Sequence, residues 1–292
     1  MSDGSPFAPN IQEESRKTMI QRRHLRISDL RVHYLSSGQG MPTVLVHGLG
    51  GSCRDWLRNV HALSKHFLVL VPDLPGFGRS DKPRSFPSDP ITWFFPHLLA
   101  QISTQLDLDC MNIVGHSMGG LVALQFALQF PRKVNKLVLV DSTGLGKEVP
   151  TLLQLLSIPG LPVQLLSPPR TLLRTVLNNT FHSQEFDIDQ EIEEVYKYLC
   201  SEGAKESFLA VTRSIVGLGG QKIVLPDQLK HISAKTLIIW GEQDRSLPVS
   251  HANQAHQLIA NSELHILQQC GHCPQIEKPK EFNKLVTAFL TR

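Results

Sequence analysis

Short apolar runs alternate with longer helical stretches along most of this chain. His24–Ile27 and Arg31–Leu35 pattern as an opening hairpin, and Thr43–His47 (TVLVH) as a buried strand stopped by glycines. Residues 53–66 carry Trp56, Val60 and Leu63 at helical spacing. Phe67–Val71 (FLVLV) predicts the next strand, ended by Pro72 and Asp73. Residues 92–108 read as a helix disturbed by Pro96, and Met111–Gly115 (MNIVG) as a strand. Residues 118–130 are apolar nearly all round, which predicts a helix buried on most sides and ended by Pro131. Val134–Val140, Thr236–Trp240 and Glu263–Leu267 add strands, with helices over about 248–260 and 279–291. Strands alternating with helices require right-handed crossovers and a mostly parallel sheet. Strands this apolar are covered on both faces.

Residues 143–230 break the rhythm. They hold no convincing strand, and no acidic side chain lies between Glu148 and Glu185. The stretch PTLLQLLSIPGLPVQLLSPPRTLLRTVL is too punctuated by proline to be one helix. It predicts a helical cap inserted after the sixth strand. The organisation expected is therefore a flexible arm over 1–20, a core from 21–142 and 231–292, and a cap over 143–230.

Composition narrows the class. With 292 residues, 41% hydrophobic and 19% charged, the chain is a globular protein and not collagen, coiled coil or a disordered chain. A net charge of +3 with no dense Lys/Arg stripe makes nucleic acid an unexpected partner. The basic lean of Arg16, Lys17, Arg22, Arg23, Arg26 and Arg31 reads as a solvated face, with a membrane-surface patch as the alternative. No apolar run reaches the roughly 18 residues needed for a transmembrane segment, and the polar N-terminus lacks a leader pattern. A cytoplasmic location is expected. The five cysteines form no framework. Cys270-Gly271-His272-Cys273 is a lone CxxC without further ligands at matching spacing, so no metal is expected.

The sharpest chemical signal is Gly115-His116-Ser117-Met118-Gly119, a GxSxG between a strand and a helix. Such a turn strains the backbone and pushes the serine hydroxyl out of the sheet, over unpaired N–H groups of the helix N-terminus. A serine hydroxyl is a weak nucleophile and needs a base held by a third group. Asp244 follows the strand Thr236–Trp240, and His272 follows Glu263–Leu267, so both fall on the same sheet edge as Ser117. Asp141, which also ends a strand, is the rival acid, and Glu242 a lesser one. His116 reads as a buried neighbour; His251, His256 and His265 read as surface or packing residues. A tetrahedral intermediate needs backbone donors. The N–H of Met118 is one; the loop His47-Gly48-Leu49-Gly50-Gly51-Ser52 offers the second, from Leu49 with Gly50 next. In Asp73-Leu74-Pro75-Gly76-Phe77-Gly78-Arg79-Ser80, Asp73 is placed to accept N–H groups that hold the loop, and Phe77 to touch substrate.

Together these motifs resemble the cap-bearing branch of the α/β-hydrolase fold superfamily: HGxGG, DxPGxGxS, GHSMGG, GxxD and GH, over about residues 24–291. The resemblance implies an eight-stranded, mostly parallel sheet with helices on both faces, and the site at its carboxyl edge beneath the cap. It implies a Ser117–Asp244–His272 triad with no cofactor. Epoxide hydrolases and haloalkane dehalogenases carry aspartate where this chain has Ser117. Meta-cleavage carbon–carbon hydrolases usually read GNSMGG and have an aromatic residue after the histidine; here His116 and Cys273 stand instead, although the tail ELHILQQCGHCPQIEKPKEF resembles theirs. The reading is an esterase- or lipase-like hydrolase. Its expected partner is a small apolar ester, suited to the acid-free, leucine-rich cap, with peripheral membrane contact open. Carbon–carbon or amide cleavage is the alternative, and a non-catalytic small-molecule receptor the third reading. A histidine base must be neutral, so acylation is expected to decline below about pH 7.

Overall fold

A computed structural model describes residues 19–83, 85–86, 88–163, 167–182 and 187–292. Most of the expected N-terminal arm, residues 1–18, lies outside the described residues. The chain opens with β1 (Gln21–Ile27), β2 (Leu30–Ser37) and β3 (Pro42–Val46), then α1 (Leu57–Leu63) and β4 (Leu68–Pro72). Next come α2 (Phe95–Gln105), β5 (Met111–His116), α3 (Met118–Gln129) and β6 (Val134–Val140). Four helices follow: α4 (Thr151–Leu156), α5 (Arg170–Thr180), α6 (Ile188–Leu199) and α7 (Ala204–Ile215). A two-residue hairpin, β7 (Val216–Gly217) and β8 (Gly220–Gln221), and α8 (Pro226–Leu229) lead back to the sheet. The chain ends with β9 (Lys235–Gly241), α9 (Ser250–Leu258), β10 (Ser262–Leu267), α10 (Pro274–Glu277) and α11 (Pro279–Thr291).

Eight strands form one sheet in the order β1-β2-β4-β3-β5-β6-β9-β10. β2 pairs antiparallel with β1 and β4, and the other pairings are parallel. One row of the sheet runs Leu45, Val114, Val138, Leu237, Glu263. Side chains alternate between faces with period two. Leu45, Val69, Val114, Val138 and Leu237 pack with Trp56 just before α1, Val60 of α1, and Phe282 and Val286 of α11. Val44, Leu70, Ile113, Leu137 and Ile238 pack on the opposite side, with α2, α3 and α9. Two apolar layers therefore sandwich the sheet, which is why its strands lack a polar face.

Local chemistry explains two departures from the periodicity. Pro96 falls where the helical run changes type, in the first turn of α2. A π-turn over Pro90–Phe94 precedes it, capped by Asp89, whose Oδ1 accepts the N–H of Ile91 and Thr92 at 3.0 and 2.7 Å. The segment after β6 does contain strand, the hairpin β7–β8. Two residues a side are too short to produce an alternating pattern. Its Gln221 is buried and binds the start of the insertion at three points. Its N–H donates to the Lys147 carbonyl at 2.8 Å, Oε1 accepts from the Gly144 N–H at 2.7 Å, and Nε2 donates to the Glu148 carbonyl at 2.9 Å. Among the described residues, no helix is long and apolar enough to cross a membrane.

Candidate active site

Ser117 stands between β5 and α3 with φ 53° and ψ −117°, a backbone region that L-residues seldom enter. The turn is forced by close packing on both sides. A Cβ at Gly119 would lie 2.4 Å from the Val46 carbonyl oxygen, so only glycine lets α3 start against the end of β3. The Ser117 N–H donates to the Val140 carbonyl at 2.9 Å, and its own carbonyl accepts from the Thr143 N–H at 3.1 Å. The strained residue is thus tied to the end of β6 and to the loop that follows it.

The loops after β9 and β10 bring two more side chains to this edge. His272 Nε2 is 3.0 Å from Ser117 Oγ, and His272 Nδ1 is 2.8 Å from Asp244 Oδ2. The Asp244 carboxylate is fully buried, and its other oxygen accepts the N–H groups of Ser246 and Leu247 at 2.7 and 3.0 Å. Burial works to raise the Asp244 pKa, but the adjacent His272 outweighs it and the net shift is downward. A carboxylate on Nδ1 holds the proton there and leaves the Nε2 lone pair facing the hydroxyl.

Asp141, the rival acid, is also fully buried and lies beside this pair. Potential ligand atoms of Asp141, Asp244 and His272 all fall within 4.8 Å of one another. Its Oδ1 accepts the Gly241 N–H at 3.0 Å. Burial, and then the charge of Asp244, push the Asp141 carboxyl well above its ordinary range. Two carboxyls in one dry site do not both ionise, and the imidazole selects Asp244 as the charged one. The lesser rival, Glu242, is exposed and accepts from the Gln243 side-chain amide at 2.6 Å.

His116 is buried, and its Nε2 donates to the His272 carbonyl at 2.8 Å. Burial, reinforced by His272, depresses its pKa to about 3, so it stays neutral and keeps that N–H. Of the other histidines set aside from chemistry, His251 is buried with Nε2 2.7 Å from Glu148, His256 is exposed, and His265 is half-buried.

The glycine loop after β3 reaches Ser117. A Cβ at Gly48 would come 3.2 Å from the Ser117 Cβ, so this backbone runs directly against it, with Leu49 next in the chain. His47 fastens the loop. Its Nδ1–H donates to the Gly48 carbonyl at 2.8 Å, and its Nε2 accepts the Leu74 N–H at 3.0 Å. Asp73 accepts from the N–H groups of Cys53 (2.6 Å) and Arg79 (2.8 Å) and from His33 Nδ1 (2.9 Å), joining this loop to the next one. Phe77 does not line the site. It is fully buried, edge-on to His47 and stacked on Tyr198, because the loop turns it inward under α6.

The cysteines of the CxxC, Cys270 and Cys273, are buried free thiols, and burial pushes both upward. Among the described residues, two clusters could offer metal ligands, the acid pair with His272 and His33–Cys53–Asp73. In each, one imidazole–carboxylate pair is already hydrogen-bonded, His272 with Asp244 and His33 with Asp73. The residue that sequence reasoning missed is Glu277. It is buried in α10, and its carboxylate accepts the N–H groups of Gly271 and Cys273, on either side of His272, at 3.1 Å each.

A family model described as alpha/beta hydrolase fold matches residues 42–279. The chain belongs to the alpha/beta hydrolase fold family. Within this family it is similar to a 2-hydroxy-6-oxo-2,4-heptadienoate hydrolase of Pseudomonas putida, at 32% identity over 87% of this chain and 90% of that one. Among solved structures it is similar to the meta-cleavage product hydrolase CumD of Pseudomonas fluorescens IP01. The TM-score is 0.79 at 27% identity, over 92% of this chain and 97% of the other. It is also similar to a putative lipase of Acinetobacter baumannii AYE, with a TM-score of 0.77 at 26% identity, over 100% and 98% of the two chains. The eight-stranded, mostly parallel sheet with helices on both faces is the one expected from the motifs.

Proposed function

We propose that this alpha/beta hydrolase is a serine hydrolase with Ser117 as nucleophile, His272 as base and Asp244 as the acid that orients it. The observation that carries the reading is the unbroken relay at 3.0 and 2.8 Å between three side chains distant in sequence. Ser117 Oγ attacks a substrate carbonyl carbon while Nε2 takes the hydroxyl proton. The tetrahedral oxyanion is held by the N–H groups of Leu49 and Met118. Collapse expels the leaving group, which takes the proton from His272. Water then attacks the acyl-enzyme with His272 again as base, releasing the acid and restoring Ser117.

The first reading of the bond broken is a carboxylic ester with an apolar acyl or aryl group. It rests on the leucine-rich stretch between Glu148 and Glu185, which holds no acid and belongs to a segment we assign as a cap over 143–230, and on the likeness to a putative lipase. The second reading is a carbon–carbon bond next to a carbonyl. The likeness to hydrolases named for 2-hydroxy-6-oxo-dienoates favours it at least as strongly. Both use the same nucleophile, so one pair of assays divides them. A fluorophosphonate probe is expected to label Ser117. A p-nitrophenyl ester series and a 2-hydroxy-6-oxo-dienoate, run side by side, then report which bond is cleaved with the higher kcat/KM. Absence of labelling in folded protein would overturn both readings.

A further inference from the structure

The loop that carries His272 is tied to the helical segment after β6 as well as to the core. The His272 N–H donates to the Thr180 carbonyl at the end of α5, at 2.8 Å. The next free amide of that segment, the His182 N–H, donates to Glu277 Oε2 at 2.8 Å. The same Glu277 oxygen accepts the Gly271 N–H at 3.1 Å, and Oε1 accepts the Cys273 N–H at 3.1 Å. The segments touch without a gap: a Cβ at Gly271 would lie 2.6 Å from the His182 nitrogen and 2.7 Å from the Thr180 oxygen. His116 closes the fourth side through the His272 carbonyl.

From this geometry we infer that Glu277 is a positioning residue for His272, clamping both flanking amides to the end of α5, so that docking of the inserted helices sets the alignment of the base. The inference rests on the reading of His272 as the base. A buried carboxylate that accepts three N–H groups has no neutral substitute, because removing either oxygen leaves amides unpaired in a dry site. Asp244 fixes only the ring. The Cα of His272 is fixed by the clamp, and a shift there moves Nε2 off its line to Ser117.

Two independent variants test this. Glu277→Gln keeps the size but sets an NH2 donor against an N–H donor. It is expected to slow both fluorophosphonate labelling of Ser117 and kcat on p-nitrophenyl acetate by about ten- to a hundredfold, with KM within about twofold. A residue that merely stabilised the fold would lower Tm without this split. His182→Pro puts a ring carbon where the N–H reaches Glu277 and so breaks that contact. Phe181 already has φ −100° and ψ 136°, the conformation a residue before proline adopts. His182→Ala retains the N–H, so the ratio of the two His182 variants reads the loss of that contact. The proline variant is expected to label several-fold more slowly than the alanine variant, and its loss should not add to that of Glu277→Gln, since both break one network. The inference is overturned if Glu277→Gln labels within twofold of the parent, or if the two His182 variants label at equal rates. If Glu277→Gln does not fold, the His182 pair alone decides. If the parent itself fails to label, it is the assignment of the triad that falls, which is a different result from a labelled parent with indifferent variants.

Discussion

Strands β3, β4, β5, β6 and β9 are buried over nearly their whole length, whereas α4 has no buried residue and α5 and α6 have one each, Leu173 and Ile192. Leu152, Leu155 and Leu172 on α4 and α5 remain exposed. The sheet is held by two apolar layers. Helices α4 to α6 lean on a few polar ties: Gln221 at the entrance, Arg54 paired with Glu194 of α6 at 3.0 Å, and the contacts of Thr180 and His182 with the histidine loop, whereas α7 buries Leu209, Val211 and Ile215. The difference separates two tasks. The edge of the sheet gives Ser117, Asp244 and His272 a rigid platform, and helices α4 to α6 depend on a few anchoring bonds.

This contrast can be broken most directly at the edge. Ser117→Ala is expected to lower turnover about 10⁴-fold or more and to abolish fluorophosphonate labelling, at nearly unchanged stability. Retained turnover would remove the chemistry from the sheet altogether. Asp244→Asn should cost about 10³–10⁴ in kcat, because the amide selects the wrong imidazole tautomer. Asp141→Asn keeps a neutral donor beside Asp244 and should cost far less; equal losses would show that the two acids share the charge.

Packing offers the next test. Phe126 of α3 is fully buried between helix and sheet, and Phe126→Ala should destabilise by about 3–5 kcal/mol in urea unfolding. Leu155→Ala on α4, half-exposed, should change stability by no more than about 0.5 kcal/mol. Comparable losses at both positions would mean that the insertion is as tightly packed as the sheet.

A pH series sharpens the comparison further. His116 has a folded pKa of about 3 against an ordinary value of 6.5. Between these the unfolded chain binds a proton that the folded one refuses. This residue therefore removes about 1.4 kcal/mol of stability per pH unit as pH falls below 6.5. Asp55 behaves in the opposite sense. Burial raises it to about 7 from 3.8, so the folded state binds its proton first and gains stability as pH falls through that window. The wild-type curve blends the two. The difference between wild type and His116→Asn isolates the histidine, and it should move in favour of the variant as pH drops from 6.5 towards 4. A constant difference would contradict a neutral, buried His116.

The alternation of strand and helix was legible in the sequence because each buried strand is a short apolar run and the crossover helices are longer, with an apolar face or, in α3, apolar nearly all round. Ser117, Asp244 and His272 were legible because each follows a strand, and a parallel sheet delivers such residues to one edge. What escaped was long-range. Glu277 lies in a polar stretch next to Lys278 and Lys280, where a solvated charge is the natural reading, and its partner His182 is distant in sequence. The two-residue strands of β7–β8 are below any periodicity. Phe77 was read outward because glycine-flanked loops commonly face substrate, yet Tyr198 of α6 covers it. These features depend on which surfaces meet after the insertion docks, and no local pattern encodes that.

The left-handed turn at Ser117 has an evolutionary consequence. Conformations of this kind cost about 1–3 kcal/mol for a residue with a side chain and much less for glycine. Drift that rewarded thermal robustness alone would replace this serine by glycine and settle on an inert scaffold. The chain therefore carries this hydroxyl at a position where folding alone would favour glycine.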